Sequence, residues 1–215
     1  GVNFYPKNKR TLPLYIRGTD FLRPIKYYES KGSAQVKSSV MLAALSTPGT
    51  TKLVTHKSRD HTEILFKYLK IPIKIKKTKK LSFIEIEGKN NIKSFNYNIS
   101  SDISSSAFFI VLTLLSKKSS LTVKNVNINP SRAGSINILN KMGAKIIFRN
   151  KREYKGEKIA DIYVKSAKSL KAIKCPTKYN SSSIDEFLII FLVAAKSKGI
   201  SFFKDLSELN QKESP

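Results

Sequence analysis

The sequence predicts a mixed α/β (α+β) protein assembled from repeats of strand, helix, strand, helix, strand, strand. Two observations carry that prediction. Serine-rich helix openings recur near Ser33, Asp102 and Asp185, at intervals of roughly 70 to 80 residues, a recurrence that signals repeated structural units. Short β-branched segments and a second helix start, marked by proline or charge, follow each opening in the same order.

Taken in order, Val2–Tyr5 and Leu12–Gly18 read as a hairpin across a Lys/Asn turn, and Ile25–Tyr28 as a further short strand. Lys31-Gly32 ends that extended segment, and Ser33 offers its hydroxyl as the cap of a helix running to about Leu45. Val36, Val40, Ala43 and Ala44 recur at spacings of three and four, which predicts that they form its inward face. Ser46-Thr47-Pro48-Gly49 turns the chain into a β-branched strand, Thr50–Val54. Ser58–Glu63 opens a second helix, with Asp60 or Thr62 as its cap and Ile64, Leu65, Tyr68 and Leu69 facing inward. Strands Ile71–Lys76 and Leu81–Ile86 complete the first unit.

The polar stretch Asn90–Ser101 marks a boundary, dividing the chain into 1–98 and 99–215. Ser101–Ser106 opens the apolar helix Ala107–Leu115, and Leu121–Val126 is a strand. Asn129–Gly134 leads into a helix stopped at Gly143, the residue type that best accepts the left-handed position after a helix. Strands Ala144–Phe148 and Asp161–Val164 follow. A third unit begins at Ser181–Glu186, with helix Phe187–Ala195 and strand Ile200–Phe203, and the sequence ends where its second helix is due.

At 215 residues, 40% hydrophobic and 26% charged, the chain has an ordinary globular composition and length enough for a sizeable core. No apolar run is long enough to span a bilayer, and the start, which lacks Met, has no signal-peptide pattern; it points to a fragment or an engineered product. The single cysteine, Cys175, excludes an internal disulfide and a multi-cysteine metal site, which fits a reducing, cytoplasmic setting. His56 and His61 lack the one-turn spacing of a zinc helix, so no metal is expected. The 40 Lys and Arg against 15 Asp and Glu give a net charge of +25, but the lysines run through every segment. That diffuse pattern lacks an arginine-rich arm or an aromatic RNA-binding strand, and it favours small anionic ligands over nucleic acid.

One stretch suggests where such an anion binds. The opening Ser33-Ala34-Gln35-Val36-Lys37-Ser38 joins free backbone N–H groups to a hydroxyl, an amide and an ammonium, a receptor for phosphate. An ordinary capped helix in a basic protein satisfies the same local residues.

The order of motifs narrows this choice. Ser33-Ala34-Gln35-Val36-Lys37-Ser38, Thr47-Pro48-Gly49, Ser58-Arg59-Asp60-His61-Thr62-Glu63, Asp102-Ile103-Ser104-Ser105-Ser106-Ala107-Phe108-Phe109, Asn129-Pro130-Ser131-Arg132 and Ser183-Ile184-Asp185-Glu186 occur in the order seen in the EPSP synthase family, the 3-phosphoshikimate 1-carboxyvinyltransferases. The final Glu208-Leu209-Asn210-Gln211-Lys212-Glu213-Ser214 is similar to that family's Glu-Leu-Arg-Val-Lys-Glu-Ser segment, so the resemblance covers nearly the whole chain. It implies a two-lobed "inside-out" α/β barrel, each lobe made of three βαβαββ units about a pseudo-threefold axis, with the active site in the cleft. Residues 1–98 would then be the last unit of one lobe with its preceding hairpin, and 99–215 the first unit and a half of the other, with the crossing near Asn96–Ser101.

The resemblance implies transfer of the enolpyruvyl group of phosphoenolpyruvate to the 5-hydroxyl of shikimate 3-phosphate, in the shikimate pathway to aromatic amino acids, without metal or organic cofactor. It assigns Ser33, Ala34, Gln35 and Arg59 to shikimate 3-phosphate, with Gln35 also facing phosphoenolpyruvate. Asp185 would receive the 5-hydroxyl proton, Lys212 would touch the hydroxyl side of shikimate 3-phosphate, and Glu213 would move a proton at the enol carbon. No catalytic role is carried onto Arg132. Each residue has a plainer reading: Asp185 as a helix cap, Lys212 and Glu213 as a frayed terminus, Arg59 as a surface partner of Asp60 or Glu63.

The departures are specific. Asn210 and Gln211 replace an Arg-Val pair, and Pro215 stands where the family has Asp before a phosphoenolpyruvate-binding Arg. The family's Gly-Asp-Lys-Ser-x-Ser-His-Arg, Gly-x-x-Gly-Thr and Asp-His-Arg segments are also absent, so the chain is expected to be a partial enzyme, inactive alone. Apolar faces left uncovered would favour self-association. Two competing readings remain: a UDP-N-acetylglucosamine enolpyruvyl transferase-like enzyme, whose helix-start motifs differ, and a non-catalytic basic nucleic-acid-binding module. RNA 3′-terminal phosphate cyclase would need a catalytic histidine in a context that neither His56 nor His61 offers.

Overall fold

The computed structural model describes residues 2–8, 11–89 and 91–211. The chain divides into two compact units, Gly1–Ser94 and Phe95–Pro215. Tyr97 and Asn98 belong with the second, because the Tyr97 ring packs on Tyr154 at 5.4 Å and the Asn98 N–H donates to the Tyr154 hydroxyl.

In the first unit, β1 (Asn3–Tyr5) and β2 (Tyr15–Arg17) form the expected antiparallel hairpin. The main sheet has the order β3-β4-β6-β5, from β3 (Lys26–Glu29), β4 (Thr50–His56), β5 (Ile73–Lys77) and β6 (Leu81–Glu87). β3 and β4 are parallel, joined by α1 (Ala34–Leu45), while α2 (His61–Tyr68) leads from β4 to β5. Alternation sets the register. Thr51, Leu53 and Thr55 of β4 stand opposite Ile86, Ile84 and Ser82 of β6, and all six point inward. Between them Lys52 faces Glu85 on the outer side, with an ion pair of 2.8 Å. Met41, Ala44, Phe66 and Ile71 close the core over this face.

The expected inward face of α1 is corrected here. Lys37, Met41 and Ala44 are buried, whereas Val36 and Ala43 are exposed. The helix is turned by one residue because Lys37 finds a buried carboxylate and Val36 does not need one. In α2 the core residue is Phe66, and Tyr68, expected inside, is exposed. Asp60 occupies the N-cap position without a capping bond, its carboxylate being drawn to Lys77 at 2.8 Å.

The second unit begins with α3 (Ile103–Leu115), followed by β7 (Ser120–Asn127), α4 (Gly134–Lys141), β8 (Ile146–Tyr154) and β9 (Glu157–Lys165). Its sheet has the order β7-β9-β8, antiparallel throughout. Gly143 ends α4 at φ +98°, with the Ala144 N–H returning to Leu139, as the stop signal predicts. The strands expected at Ala144–Phe148 and Asp161–Val164 are longer, and meet in a tight turn at Lys155 and Gly156, where both φ values are positive. Charged residues on the exposed stretch of β8 hid that hairpin.

After β9 come a 3-10 turn at Thr177–Tyr179, α5 (Phe187–Lys196) and a second 3-10 turn at Ser207–Gln211. The strand expected at Ile200–Phe203 is reduced to parallel bridges, Lys171 to Lys198 and Lys174 to Phe202. Those bridges flank α5 as β3 and β4 flank α1, and a parallel bridge from Ser101 to Val126 does the same around α3. Parallel pairing across a helix therefore recurs in all three places, as strands around α1 and as isolated bridges around α3 and α5. Ile103, Ile110, Leu114, Ile138, Ile162, Val164, Phe187 and Ile190 are among the core of this unit.

Candidate active site

Each unit carries its own group of polar residues at helix openings. In the first, Ser33 caps α1 by accepting the Val36 N–H at 3.3 Å, and no acidic residue lies in the first turn to compete for an anion. Ala34 is half-buried and Gln35 exposed. Residues 56–59 run beside this opening: a Cβ added at Gly32 would lie 3.6 Å from both the His56 Cβ and the Lys57 carbonyl oxygen. Arg59 is half-buried on that segment. Both carboxylates suggested as its surface partners carry lysines, Asp60 with Lys77 and Glu63 with Lys37. Among the described residues, the Ser58 hydroxyl is buried there without a hydrogen-bond partner.

The ammonium expected to join the anion receptor at this opening, that of Lys37, is instead turned into the core, because a buried carboxylate meets it there. Lys37 is 2% exposed, and its ammonium donates to Glu63 Oε1 at 2.8 Å and to the Arg59 carbonyl. Ser38 Oγ meets Thr62 Oγ1 at 2.7 Å one residue further along. The available signal was phase: Lys37 sits four residues before Met41, so a helix burying Met41 and Ala44 buries Lys37 and requires a carboxylate for it.

In the second unit the openings of α3, α4 and α5 converge. Asp102 caps α3, accepting the Ser105 N–H at 2.8 Å, and its other oxygen pairs with Arg132 Nη2 at 2.8 Å. Arg132 also donates to the Ser104 hydroxyl, which donates to Glu186 Oε1. Burial pushes the Asp102 carboxyl up, but the Ser105 amide and hydroxyl and the Arg132 guanidinium outweigh it and hold the group below the usual carboxylate value. Glu186 is 3% exposed and occupies the N-cap position of α5; Asp185, suggested as that cap, is the exposed residue before it. The Gly134 N–H donates to the Ser182 carbonyl, which binds the turn before α5 to the start of α4. Sequence reasoning left Arg132 without a role, and these contacts give it a structural one.

The structure thus gathers Ser33, Ala34, Gln35 and the Arg59 segment in the first unit and places Asp185 at a helix opening in the second. Lys212 and Glu213 lie outside the described residues. Among the described residues no group of three or more His, Cys, Asp and Glu could hold a metal ion, and no helix is long and apolar enough to cross a membrane.

Similarity to known proteins identifies the family and the fold. The family model for EPSP synthase (3-phosphoshikimate 1-carboxyvinyltransferase) matches residues 1–215. The 3-phosphoshikimate 1-carboxyvinyltransferase of Petrotoga mobilis is 39% identical over 215 residues, covering 99% of this chain and 49% of the relative. That of Ruthia magnifica is 41% identical over 208 residues, covering 96% and 47%. The solved structure of EPSP synthase from Acinetobacter baumannii superposes with a TM-score of 0.85 at 35% identity, covering 100% of this chain and 48% of the other. The enolpyruvyl transferase NikO from Streptomyces tendae shares the fold, with a TM-score of 0.65 at 13% identity. The chain spans about half the length of these relatives. A family match from first residue to last, and a fold shared with its solved members, leave one assignment: the chain belongs to the EPSP synthase family.

Proposed function

We propose that this chain contributes the shikimate 3-phosphate side of an enolpyruvyl transferase centre in the shikimate pathway. The observation that carries the reading is the opening of α1, where a capping serine, an exposed glutamine and the half-buried Arg59 segment share one edge with no acidic residue in the helix's first turn. Ser33, Ala34, Gln35 and Arg59 hold shikimate 3-phosphate, with the 3-phosphate at the helix opening, and Gln35 also faces phosphoenolpyruvate. In the addition, the 5-hydroxyl oxygen bonds to C2 of phosphoenolpyruvate and gives its proton to Asp185, while Glu213 protonates C3. In the elimination, C3 returns its proton, the C2–O bond to phosphate breaks, and the enol ether and inorganic phosphate remain. Lys212 steadies the hydroxyl side.

The setting we propose is the cytoplasm, with small anions rather than nucleic acid as partners. Because the chain spans about half the length of its relatives, it is not sufficient for turnover alone, and uncovered helix faces, such as Phe108 and Leu112 of α3, favour self-association. Calorimetric titration with shikimate 3-phosphate tests the reading. Saturable binding lost in Gln35→Ala supports it; no binding, with a steeply salt-dependent affinity for duplex DNA, overturns it. Phosphate release above blank from the chain alone would refute its insufficiency.

A further inference from the structure

We infer that Lys37 and Glu63 are positioning residues: their buried ion pair clamps residues 57–60 along α1 and so sets where Arg59 stands relative to Ser33 and Gln35. The inference rests on the reading of those three residues as shikimate 3-phosphate ligands. A buried charge pair is poor at stabilising a fold, because desolvating both ions offsets their attraction, and a methionine or leucine would fill this stripe above Met41 at no such cost. What an apolar pair cannot do is hold a backbone carbonyl. The Lys37 ammonium divides its hydrogen bonds between Glu63 Oε1 and the Arg59 carbonyl, so it fixes the main chain from which the Arg59 side chain departs. The Ser38–Thr62 hydroxyl pair and the close approach at Gly32 bracket the same segment on either side. The chain from His56 to Glu63 therefore meets Gly32, Lys37 and Ser38, and of these three contacts only that of Lys37 is ionic. A ligand reaching this edge finds Arg59 already placed, and loses less freedom on binding.

Removing one partner leaves an uncompensated buried charge, so Lys37→Met alone is expected to destabilise the unit and is not the decisive variant. The decisive one is the double variant Lys37→Met/Glu63→Leu, which restores an apolar stripe but leaves the Arg59 carbonyl without its donor. It is expected to melt at or above the temperature of the parent chain. Amide hydrogen exchange across residues 57–60 should nonetheless accelerate, and shikimate 3-phosphate should bind more weakly, both by about tenfold or more. A folded double variant with the parent's exchange and affinity overturns the inference. So does one that cannot fold, since the pair would then belong to the core and not to the placement of the loop. If the parent chain does not bind shikimate 3-phosphate, but exchange across 57–60 still accelerates in the double variant, the clamp stands and the ligand assignment falls.

Discussion

Arg132 reaches from the turn before α4 to Asp102, the cap of α3, with Nη2 2.8 Å from Oδ1. The same guanidinium donates to Ser104, and Ser104 to the buried Glu186 at the start of α5, so one side chain ties three helix openings. Arg132→Ala removes the cation between two carboxylates, one of them buried, and is expected to cost about 1–3 kcal/mol in urea unfolding. The Asp102 carboxyl should also titrate higher by NMR, since the guanidinium is one of the groups that lowers it. An unchanged unfolding midpoint would show that the network is incidental.

Gly134 opens α4 in a place with no room for a side chain. A Cβ there would lie 2.2 Å from the Ser182 hydroxyl oxygen and 2.3 Å from that of Ser183. Gly134→Ala is therefore expected to destabilise by about 1–3 kcal/mol, the usual cost of overpacking, although alanine is the better helix former. Adding Ser183→Ala should return part of that loss, because it removes one of the two clashing oxygens; thermal melts of the three chains check both steps.

What could be read from the sequence divides along a physical line. The cap Ser33, the helix opening near Asp102 and the stop at Gly143 are local chemistry, decided within a turn or two of the helix, and each stands where the residues put it. The repeat was legible for the same reason, since it is a succession of such local signals. The inward face of α1 was not, because it is decided by Glu63, 26 residues away in the chain. Ser104 and Glu186 are 82 residues apart, and no spacing rule connects them. The hairpin of β8 and β9 was hidden differently: β8 is mostly exposed beyond Phe148, so alternation, the signal of a half-buried strand, has nothing to report there. Ser33, Gln35, Arg59 and Asp185 were suggested by family resemblance; the contacts of Lys37 with the Arg59 carbonyl and with Glu63 came only from the packing between helices.

Cys175, the sole cysteine, is half-buried, and burial pushes its thiol up from the ordinary value. Less thiolate is present at any given pH, and the thiolate is the nucleophile. Alkylation by iodoacetamide at pH 8 should therefore be slower than that of free cysteine, and should continue to accelerate at pH values where free cysteine has levelled off. A rate equal to that of free cysteine across the range would contradict the shift.

Asp161 gives the clearest dependence on pH. Its carboxylate accepts the Asn125 N–H at 2.9 Å and the Asn150 side-chain amide at 2.8 Å, with Lys124 at 3.4 Å. The Asn125 amide first, then the Asn150 amide, and with them Lys124, lower its pKa to about 2 against the opposing effect of burial. The folded value lies below the unfolded one, so the unfolded chain takes up the proton first as pH falls. The stability contributed by Asp161 is then complete above the unfolded value, declines from about pH 4, and is gone below about pH 2. Asp161→Asn keeps the size but replaces one acceptor oxygen with a donor that opposes the Asn125 and Asn150 donors. It should melt below the parent at pH 7, and the gap should narrow steadily between pH 5 and about pH 3. A gap of constant size over that interval would mean that the carboxylate's charge does not contribute to the hairpin, and that its hydrogen bonds serve only to shape the turn.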